Sequence, residues 1–459
     1  MRKALLFVST LLVLASCNGV TRATSSVVSF SSVSSNSIEN SSDEIINSKE
    51  PETITQGLII QDGVVISYVG ESKVITIPKE YDDKPVIAIA YDAFSNIDSI
   101  DVLNIFSTLT TIPESTFSSP YRGKTIVKKC NYFGTVDEWL SFNDKGHIIA
   151  EAGSCEFSLF LDGGDKETTE VTIPSTYSTI PYNAFLCCKS ITNVNFPSTL
   201  MEIGKRAFYY CVSLKDFVLP NGLLKIDDSA FEYCSSIVDV FLPDTVTYIG
   251  QETFNMCYAI ENYRISSQIE FIGHGFFFGF PKHTTEFNGL NYIGNEDNPY
   301  IVMLGENMET LDLSDVKKYE SYVVHPRCRI IVASFYDFES LKEVTLPDSL
   351  VTIGEAAFSG CKSLKHIKCP PNLKNICQEA FSGCNKIEWV ILNNKISYIS
   401  NIGKVFEHVK INFFYEGTKE EFHDLIKENT DWKIYFYSET QPLFEGNYWH
   451  YVDDLPVIW

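Results

Sequence analysis

The 459-residue sequence has none of the short motifs that mark common catalytic centres. It contains no G-x-S-x-G, no H-E-x-x-H, no phosphate-binding loop and no glycine-rich dinucleotide pattern. Its carboxylates are scattered along the chain and form no recognisable catalytic pair. We therefore predict that the protein is not an enzyme and that it needs no cofactor.

The sequence also lacks a basic excess and a metal-ligand pattern. Its 59 Asp and Glu residues outnumber its 36 Lys and Arg residues, which gives a formal net charge of −23. Such a charge disfavours binding to nucleic acid and direct docking on anionic membranes. No C-x-x-C pair occurs among the 13 cysteines, and the eight histidines do not cluster with the thiols. We predict no metal site and no nucleic-acid partner.

No hydrophobic run is long enough to cross a bilayer comfortably. The apolar run at the N-terminus covers residues 4–15 and follows Arg2 and Lys3, which predicts a signal peptide over residues 1–16. The sequence Leu-Ala-Ser-Cys at residues 14–17 matches a bacterial lipobox, so we predict that Cys17 is acylated and begins the mature chain. The alternative is an ordinary signal peptide that happens to contain a cysteine. Residues 17–56, rich in serine and asparagine, then form a flexible tether behind the lipidated cysteine.

The dominant feature that is present is an internal repeat with a period of 23. The stretch LMEIGKRAFYYCVSLKDFVLP, residues 200–220, returns as LLKIDDSAFEYCSSIVDVFLP, residues 223–243. A period of this size with apolar residues in fixed columns predicts a solenoid. Ordering one coil costs roughly 1.5 kcal/mol per residue, so a coil becomes stable only when it stacks on its neighbours. The most regular column is a phenylalanine, found at Phe94, Phe117, Phe185, Phe208, Phe231, Phe254, Phe277, Phe335, Phe358 and Phe381.

This frame resembles the BspA-like leucine-rich repeats of bacterial proteins, also called the Treponema pallidum type. The resemblance covers most of residues 58–410. It implies a mainly β fold, namely a leucine-rich-repeat solenoid with 23-residue coils and short strand–helix capping units. We expect a right-handed solenoid stacked as one elongated body. Family members are secreted or cell-surface proteins, and several are adhesins for host matrix proteins or for other microbes.

Two segments of similar form interrupt the repeats and predict the capping units. NYFGTVDEWLSF, residues 131–142, and FYEGTKEEFHDL, residues 414–425, each combine an aromatic strand with a capping box, from Thr135 to Glu138 and from Thr418 to Glu421. We expect helices over 136–142 and 419–428, each closing a block of repeats. The predicted organisation is an N-terminal repeat block with its cap unit at 57–150, a central block at 151–282, an interrupting segment at 283–326 that keeps the sheet continuous, a C-terminal block at 327–410 and a C-terminal cap at 411–459.

Two groups of side chains are predicted to be structural. In the C-terminal cap, Tyr448, Trp449, Tyr451 and Trp459 are expected to pack on the final coil, with sugar stacking as the alternative. A cysteine recurs three residues after the phenylalanine, in a column that also accepts Phe280 and Phe338, so we predict buried thiols. Cys187 lies outside this column and is a candidate reactive thiol if it is exposed. The column holds Cys188, Cys211, Cys234, Cys257, Cys361 and Cys384.

The variable positions on the short strands carry the functional prediction. They flank an inward apolar residue and form one ladder along the solenoid, with steps of about 4.8 Å. Exposed apolar residues among charges, including Ile391, are typical of interface hot spots, although the same residues could face a loop or be ordinary surface. The candidate partner-binding residues are Asp216, Val218, Asp239, Phe241, Glu261, Arg264 and Trp389.

These observations predict an adhesin or protein-binding module rather than an enzyme. We expect its partner to be an extracellular protein, either of the host matrix or of a microbial surface. The lipid anchor would hold the chain on the extracellular face of the bacterial cell membrane. The alternative is a non-catalytic structural or scaffold protein of the cell envelope, with the same fold and no saturable partner.

Overall fold

The computed structural model describes residues 54–113, 116–119, 123–142, 156–273, 275–276, 285–294, 302–303, 316–400, 405–406, 411–425, 433–443 and 446–459. The predicted signal peptide, Cys17 and the tether lie outside these residues, as do Phe277 and Phe280. The described part is mainly β, with short strands and two short α-helices, as the repeat frame predicts.

The N-terminal region combines an antiparallel hairpin with a parallel sheet. β1 pairs with β2, and the parallel sheet has the order β11-β10-β7-β3. The strands are β1 Leu58–Gln61, β2 Val64–Tyr68, β3 Val74–Thr76, β4 Glu80–Tyr81, β5 Lys84–Pro85, β6 Ala88–Ile89, β7 Ser99–Phe106, β8 Ser118–Ser119, β9 Gly123–Lys124, β10 Ile126–Gly134 and β11 Glu156–Leu161.

The coils of this parallel sheet are longer than those of the repeat frame. Asn131 is in register with Asn104, which lies 27 residues earlier in the chain, so one coil here spans 27 residues. The Asn131 side-chain amide donates a hydrogen bond to the Asn104 side-chain oxygen. The step from β10 to β11 has the same length, since Glu156 pairs with Lys129. Three phenylalanines stack across the strands, with ring centroids 5.2 Å apart for Phe106 and Phe133 and 4.9 Å apart for Phe133 and Phe160. The loss of the regular phase after Phe117 therefore reflects longer coils rather than an end of the stack.

The central region repeats with the predicted period. In the sheet β13-β15-β17-β19-β21, each strand pairs in parallel with its counterpart in the next coil, as Glu202 does with Lys225. The turns need close backbone approach, since a Cβ on Gly204 would lie 2.6 Å from the Ile180 carbonyl oxygen. The strands are β12 Glu170–Thr172, β13 Thr179–Ile180, β14 Asn193–Asn195, β15 Glu202–Ile203, β16 Asp216–Phe217, β17 Lys225–Ile226, β18 Asp239–Phe241, β19 Tyr248–Ile249, β20 Asn262–Arg264 and β21 Phe271–Ile272.

The interrupting segment begins a new sheet instead of extending the central one. Among the described strands, the central sheet ends at β21, and an antiparallel hairpin opens the sheet β22-β23-β24-β26-β28-β30-β32. The expectation of one continuous sheet is wrong here because the hairpin reverses strand direction. The strands are β22 Thr285–Phe287, β23 Leu290–Ile293, β24 Val302–Met303, β25 Ser321–Val323, β26 Ile330–Ile331, β27 Glu343–Thr345, β28 Thr352–Ile353, β29 His366–Lys368, β30 Asn375–Ile376, β31 Trp389–Leu392, β32 Tyr398–Ile399, β33 Asn412–Tyr415, β34 Lys433–Tyr437, β35 Tyr448–Val452 and β36 Leu455–Ile458.

Side chains join the central coils to the C-terminal coils. The Arg329 Nε donates to the Ile269 carbonyl at 3.0 Å, and the Lys374 ammonium lies 2.6 Å from a Glu270 carboxylate oxygen. The Asn375 amide also donates to the Glu270 carbonyl. These contacts pair the start of β21 with coils that follow it by 60 to 105 residues, which the repeat frame does not predict.

The two predicted helices are present, α1 over Val136–Ser141 and α2 over Lys419–Leu425. In α1, the Glu138 amide donates to the Thr135 hydroxyl at 3.2 Å and the Thr135 amide donates to the Glu138 carboxylate at 2.7 Å. Thr418 and Glu421 repeat this capping box at α2. Each unit was expected to close a block of repeats, but the strand stack continues beyond it, since β10 pairs onward with β11 and β33 with β34.

Stacked phenylalanines fill the core. The ring centroids of Phe208 and Phe231 lie 5.2 Å apart, and those of Phe358 and Phe381 lie 5.3 Å apart. At the end of the central block, Phe254 contacts Phe276 edge-on at 5.7 Å. Large aromatic side chains bury the most apolar area per residue, so this column dominates the stabilisation of both blocks.

The described cysteines are all buried, which confirms the prediction for the cysteine column. The column thiols also make specific contacts: Cys211 Sγ donates to the Phe185 carbonyl at 3.0 Å and Cys384 Sγ to the Phe358 carbonyl at 3.0 Å. The column is therefore more than an apolar filler, because each thiol adds a second hydrogen bond to a carbonyl that already accepts a backbone amide. Cys187 is also buried, so the condition for its reactivity is not met.

Candidate functional site

The predicted partner-binding residues of the central block lie on one face of the stacked coils, which we call the central ladder. It consists of the outward side chains on and beside β12, β14, β16, β18 and β20. Period-2 alternation along these short strands turns Val194 and Val240 into the core and their flanking residues outward. The structure thus brings together Asp216, Val218, Asp239, Phe241, Glu261 and Arg264, and all six are exposed.

Two apolar side chains stand out on the central ladder. Val218 is 84% exposed and Phe241 is 55% exposed, while the inward Val240 beside Phe241 is only 4% exposed. Apolar residues surrounded by charges are typical of interface anchors. The Arg264 guanidinium donates to the Leu242 carbonyl at 3.3 Å, which holds this cation beside Phe241.

A shallow groove crosses the central ladder beside Val218. Its lining combines the polar residues Asn193, Asn195 and Asp216 with the apolar residues Val194, Phe196, Phe217 and Val218. The Asn195 amide donates to the Thr172 hydroxyl at 3.2 Å, and the Asn262 amide donates to Asp239 at 2.7 Å. Asn193 and Asn195 flank the inward Val194 on β14, but the predicted partner-binding set does not include them.

Trp389 lies in a different environment from the rest of the predicted set. It belongs to the C-terminal ladder, the outward side chains of β29, β31, β33, β34 and β35. Trp389 is half-buried and stacks on His366, with ring centroids 4.5 Å apart. The structure does not bring it onto the central ladder.

The prediction that Ile391 is exposed is wrong. Ile391 has no exposed surface and packs in a buried cluster with Phe414, Tyr435 and Trp449. Trp449 is fully buried, and its indole nitrogen donates to the Tyr415 carbonyl at 3.1 Å. The cap strands cover the C-terminal ladder with their own aromatic side chains. Trp449 therefore has the structural packing role predicted for it, with no surface left for sugar stacking.

A cluster of tyrosines on the turn edge of the central coils was not predicted. Tyr209, Tyr210 and Tyr233 contact one another at ring distances of 5.3–6.2 Å. Beside them, Glu232 is 7% exposed and accepts a hydrogen bond from the Asn255 amide at 3.0 Å. Burial raises the pKa of Glu232 to about 6, and the neighbouring Glu252 carboxylate contributes in the same direction. Tyr210 and Tyr233 share one column of the 23-residue frame, but the preceding column changes from Tyr209 to Glu232 and Asn255, so the repeat did not single out this cluster.

Metal-binding and membrane-spanning features are absent from the described part of the chain. No group of three or more His, Cys, Asp or Glu side chains there could hold a metal ion. Within the same residues, no helix has the length and apolar content needed to cross a membrane.

Comparison with known proteins now identifies the repeats. The family model of the BspA type leucine rich repeat region matches six copies over residues 69–135, 164–283 and 328–418, which is more than half of the chain. The protein belongs to the BspA type leucine-rich-repeat family. The match includes the central ladder and the longer coils up to β10, so the BspA-type frame tolerates both coil lengths. No curated protein matches the chain.

Several solved structures resemble this BspA-type chain at low identity. A leucine rich cell surface protein from Faecalibacterium prausnitzii is 18% identical, with 83% of this chain and 100% of that chain covered and a TM-score of 0.31. A leucine-rich repeat protein from Bacteroides ovatus is 20% identical, with 84% and 100% covered and a TM-score of 0.31. The T. pallidum leucine-rich repeat protein is 18% identical, with 66% and 82% covered and a TM-score of 0.24. At these values the family assignment rests on the repeat match alone.

Proposed function

We propose that this BspA-type protein is a lipid-anchored adhesin of the bacterial surface that binds an extracellular protein through the central ladder. The observation that carries the proposal is the exposed set along β16, β18 and β20, where Val218 and Phe241 lie among Asp216, Asp239 and Glu261. Repeated coils present such side chains at regular spacing, so many modest contacts add up along the face. Many copies on one cell would add avidity.

The anchor has its own test. The lipobox at residues 14–17 and the Ser/Asn-rich segment behind it support acylation of Cys17. Acyl chains attach a protein stably because each buried methylene contributes about 0.8 kcal/mol. Mass spectrometry of the mature N-terminus should find Cys17 carrying two or three acyl chains. An unmodified N-terminus at another residue would refute the anchor without touching the binding proposal.

The binding proposal is tested with the full chain against immobilised host matrix proteins and microbial surface proteins. We expect saturable binding that Phe241→Ala and Asp239→Lys each weaken at least fivefold, with thermal stability nearly unchanged, as is usual for surface substitutions. Matched controls are Lys205→Ala and Asp228→Ala, which lie on the other edge of the coils and pair with each other at 3.2 Å. Equal losses from the control pair would show that the central ladder is not the site.

A structural role in the cell envelope is the second candidate function. It predicts the same fold without a saturable partner. Concentration-independent retention on every surface, unaffected by Phe241→Ala, would favour this scaffold role over adhesion.

A further inference from the structure

Strand pairing along the central ladder is interrupted between two successive coils. β12, β14 and β16 pair in one sheet and β18 pairs with β20, but no pairing joins β16 to β18 among the described strands. On one side of this step the Lys215 amide donates to the Thr192 carbonyl at 3.0 Å. On the other side the Glu261 amide donates to the Val238 carbonyl at 2.8 Å. The equivalent bond from the Val238 amide to the Lys215 carbonyl is absent from the described contacts.

The far end of the same step is open as well. In the next coil, the Leu242 amide donates to the Arg264 carbonyl at 2.9 Å. Within the described residues, no matching bond joins the Leu219 amide to the Phe241 carbonyl. We call residues 215–219 and 238–241 the ladder gap. Among the described residues, its backbone includes donors and acceptors without a protein partner on an exposed face, which is costly unless water or a ligand satisfies them.

The ladder gap is confined to this face. On the other side of the same coils, β15, β17 and β19 pair without interruption. The rings of Phe208 and Phe231 keep their 5.2 Å spacing, and Cys234 Sγ still donates to the Phe208 carbonyl at 3.0 Å. The coils are therefore stacked normally in the core and separated only at the central ladder.

The ladder gap coincides with the step at which two acidic residues occupy equivalent positions. In the paired steps of this column an acid faces an amide: Glu170 is in register with Asn193, Asn193 with Asp216, and Asp239 with Asn262. Across the open step, the repeat places the carboxylates of Asp216 and Asp239 in neighbouring positions. Like charges directly opposite each other destabilise strand pairing, whereas the Asn262 amide stabilises its step by donating to Asp239 at 2.7 Å.

A second, weaker interruption supports this distinction. β27 and β29 are also unpaired, yet the Lys365 amide still donates to the Lys342 carbonyl at 3.1 Å. At that step Glu343 faces His366, so two carboxylates do not meet. Between β16 and β18, where two carboxylates occupy equivalent positions, the backbone hydrogen bonds at both ends of the strands are missing from the described contacts.

We propose that the ladder gap receives an arginine side chain from an extended, basic segment of the partner protein. This inference rests on the proposed function and names the partner's chemistry. A guanidinium has five fixed donors and can bridge the outward carboxylates of Asp216 and Asp239 at once, which leaves the backbone carbonyls of the ladder gap to accept from the next coil. Its planar face and alkyl stem suit the exposed Phe241 and Val218 beside the gap. The cation removes the carboxylate repulsion, so binding closes the ladder.

Hydrogen exchange of the unbound full chain tests the gap itself. The amides of Val238 and Leu219 should exchange at least tenfold faster than the equivalent amides of Lys215 and Leu242, which are bonded. Asp239→Asn converts the open step to an acid–amide step and should slow exchange at Val238 toward that of Lys215. Equal protection of Val238 and Lys215 in the wild-type chain would overturn the inference.

A peptide probe tests the ligand chemistry. We would titrate the full chain with a hexapeptide of alternating valine and arginine, and with the same peptide carrying citrulline, which is neutral and nearly isosteric. The arginine peptide should bind saturably, protect the Val238 amide and lose at least tenfold in affinity for Asp239→Asn. Glu343→Gln, on a step without paired carboxylates, is the matched control and should bind as the wild type does. Equal binding of both peptides, or no protection at Val238, would refute the arginine site.

The outcomes separate this inference from the proposed function. If matrix proteins bind and the peptide does not, adhesion stands and the arginine site falls. If the peptide closes the gap but no extracellular protein binds, the site stands and the adhesin proposal falls.

Discussion

The central ladder and the C-terminal ladder are built from the same repeat frame but meet different surroundings. In the central ladder, Val218 and Phe241 point into solvent. In the C-terminal ladder, Ile391 occupies the position equivalent to Phe241 in its coil and is fully buried beneath Phe414 and Trp449. The inward columns hardly differ, since Phe208 and Phe231 stack at 5.2 Å and the corresponding pair of the C-terminal block at 5.3 Å. The repeat therefore determines the core, whereas the chain that follows determines whether an outward side chain is exposed to solvent.

The largest expected difference between the two ladders comes from placing a charge at equivalent outward positions, one buried and one exposed. Ile391→Asp should lower stability by on the order of 4 kcal/mol, because a carboxylate would be buried without a partner. Val218→Asp should change stability by less than about 0.5 kcal/mol, since that side chain is already in water. Chemical denaturation of both variants checks this. Equal shifts of the unfolding midpoint would mean that the aromatic cover over Ile391 is not formed in solution.

Much of the fold could be predicted because its signals are local and repeated. The phenylalanine column, the buried cysteines and both capping boxes follow from residue type and spacing alone. The longer N-terminal coils were also visible in principle, since Phe106, Phe133 and Phe160 recur at equal intervals, but a search at the shorter period misses them. A strand–helix unit was expected to close a block of repeats, yet nothing in the unit itself prevents the next strand from pairing.

The candidate site could be predicted only in part. Alternation along a strand tells which residues face outward, and it placed Asp216, Asp239 and Phe241 correctly on the exposed face. It does not tell what covers that face, so Ile391 was misjudged and Trp389 is half-buried. The ladder gap was also not predicted, because it depends on which residues face each other in neighbouring coils rather than on the pattern within one coil.

The second prediction concerns the part that the two blocks share. Cys234→Val and Cys384→Val should each cost about 1 kcal/mol, because each thiol donates at 3.0 Å to a phenylalanine carbonyl and valine cannot make this bond. Cys369 is the control: it is buried, but it makes no such thiol bond among the described contacts, and other coils carry leucine there. Cys369→Val should therefore be nearly neutral. Equal effects at all three positions would show that thiol volume matters and the hydrogen bond does not.

The smallest expected effect concerns the pH dependence of stability, which should differ between the turn edges of the central and the C-terminal block. The central block has the buried acid Glu232 one residue after Phe231, where the C-terminal block has Ser359 and Ser382. Burial raises the pKa of Glu232 from its ordinary value of 4.5 to about 6, because the folded state favours the neutral acid. Well below pH 4.5, Glu232 is protonated in both the folded and the unfolded state, so its ionisation does not change the free energy of unfolding. As the pH rises toward 6, the unfolded state loses its proton first, so stability falls over this window and stays lower above it.

Glu232→Gln should remove that loss, because glutamine resembles the protonated acid and still offers an oxygen to the Asn255 amide. We expect the thermal midpoint of this variant to lie a few degrees above that of the wild-type chain at pH 7, and the two midpoints to converge at about pH 4. Glu343→Gln, which removes an exposed carboxylate, is the matched control. A wild-type chain that is more stable than Glu232→Gln at pH 7 would mean that the folded state ionises Glu232 readily. The turn edge of the central block would then be as well hydrated as that of the C-terminal block, and the contrast between the two edges would not hold.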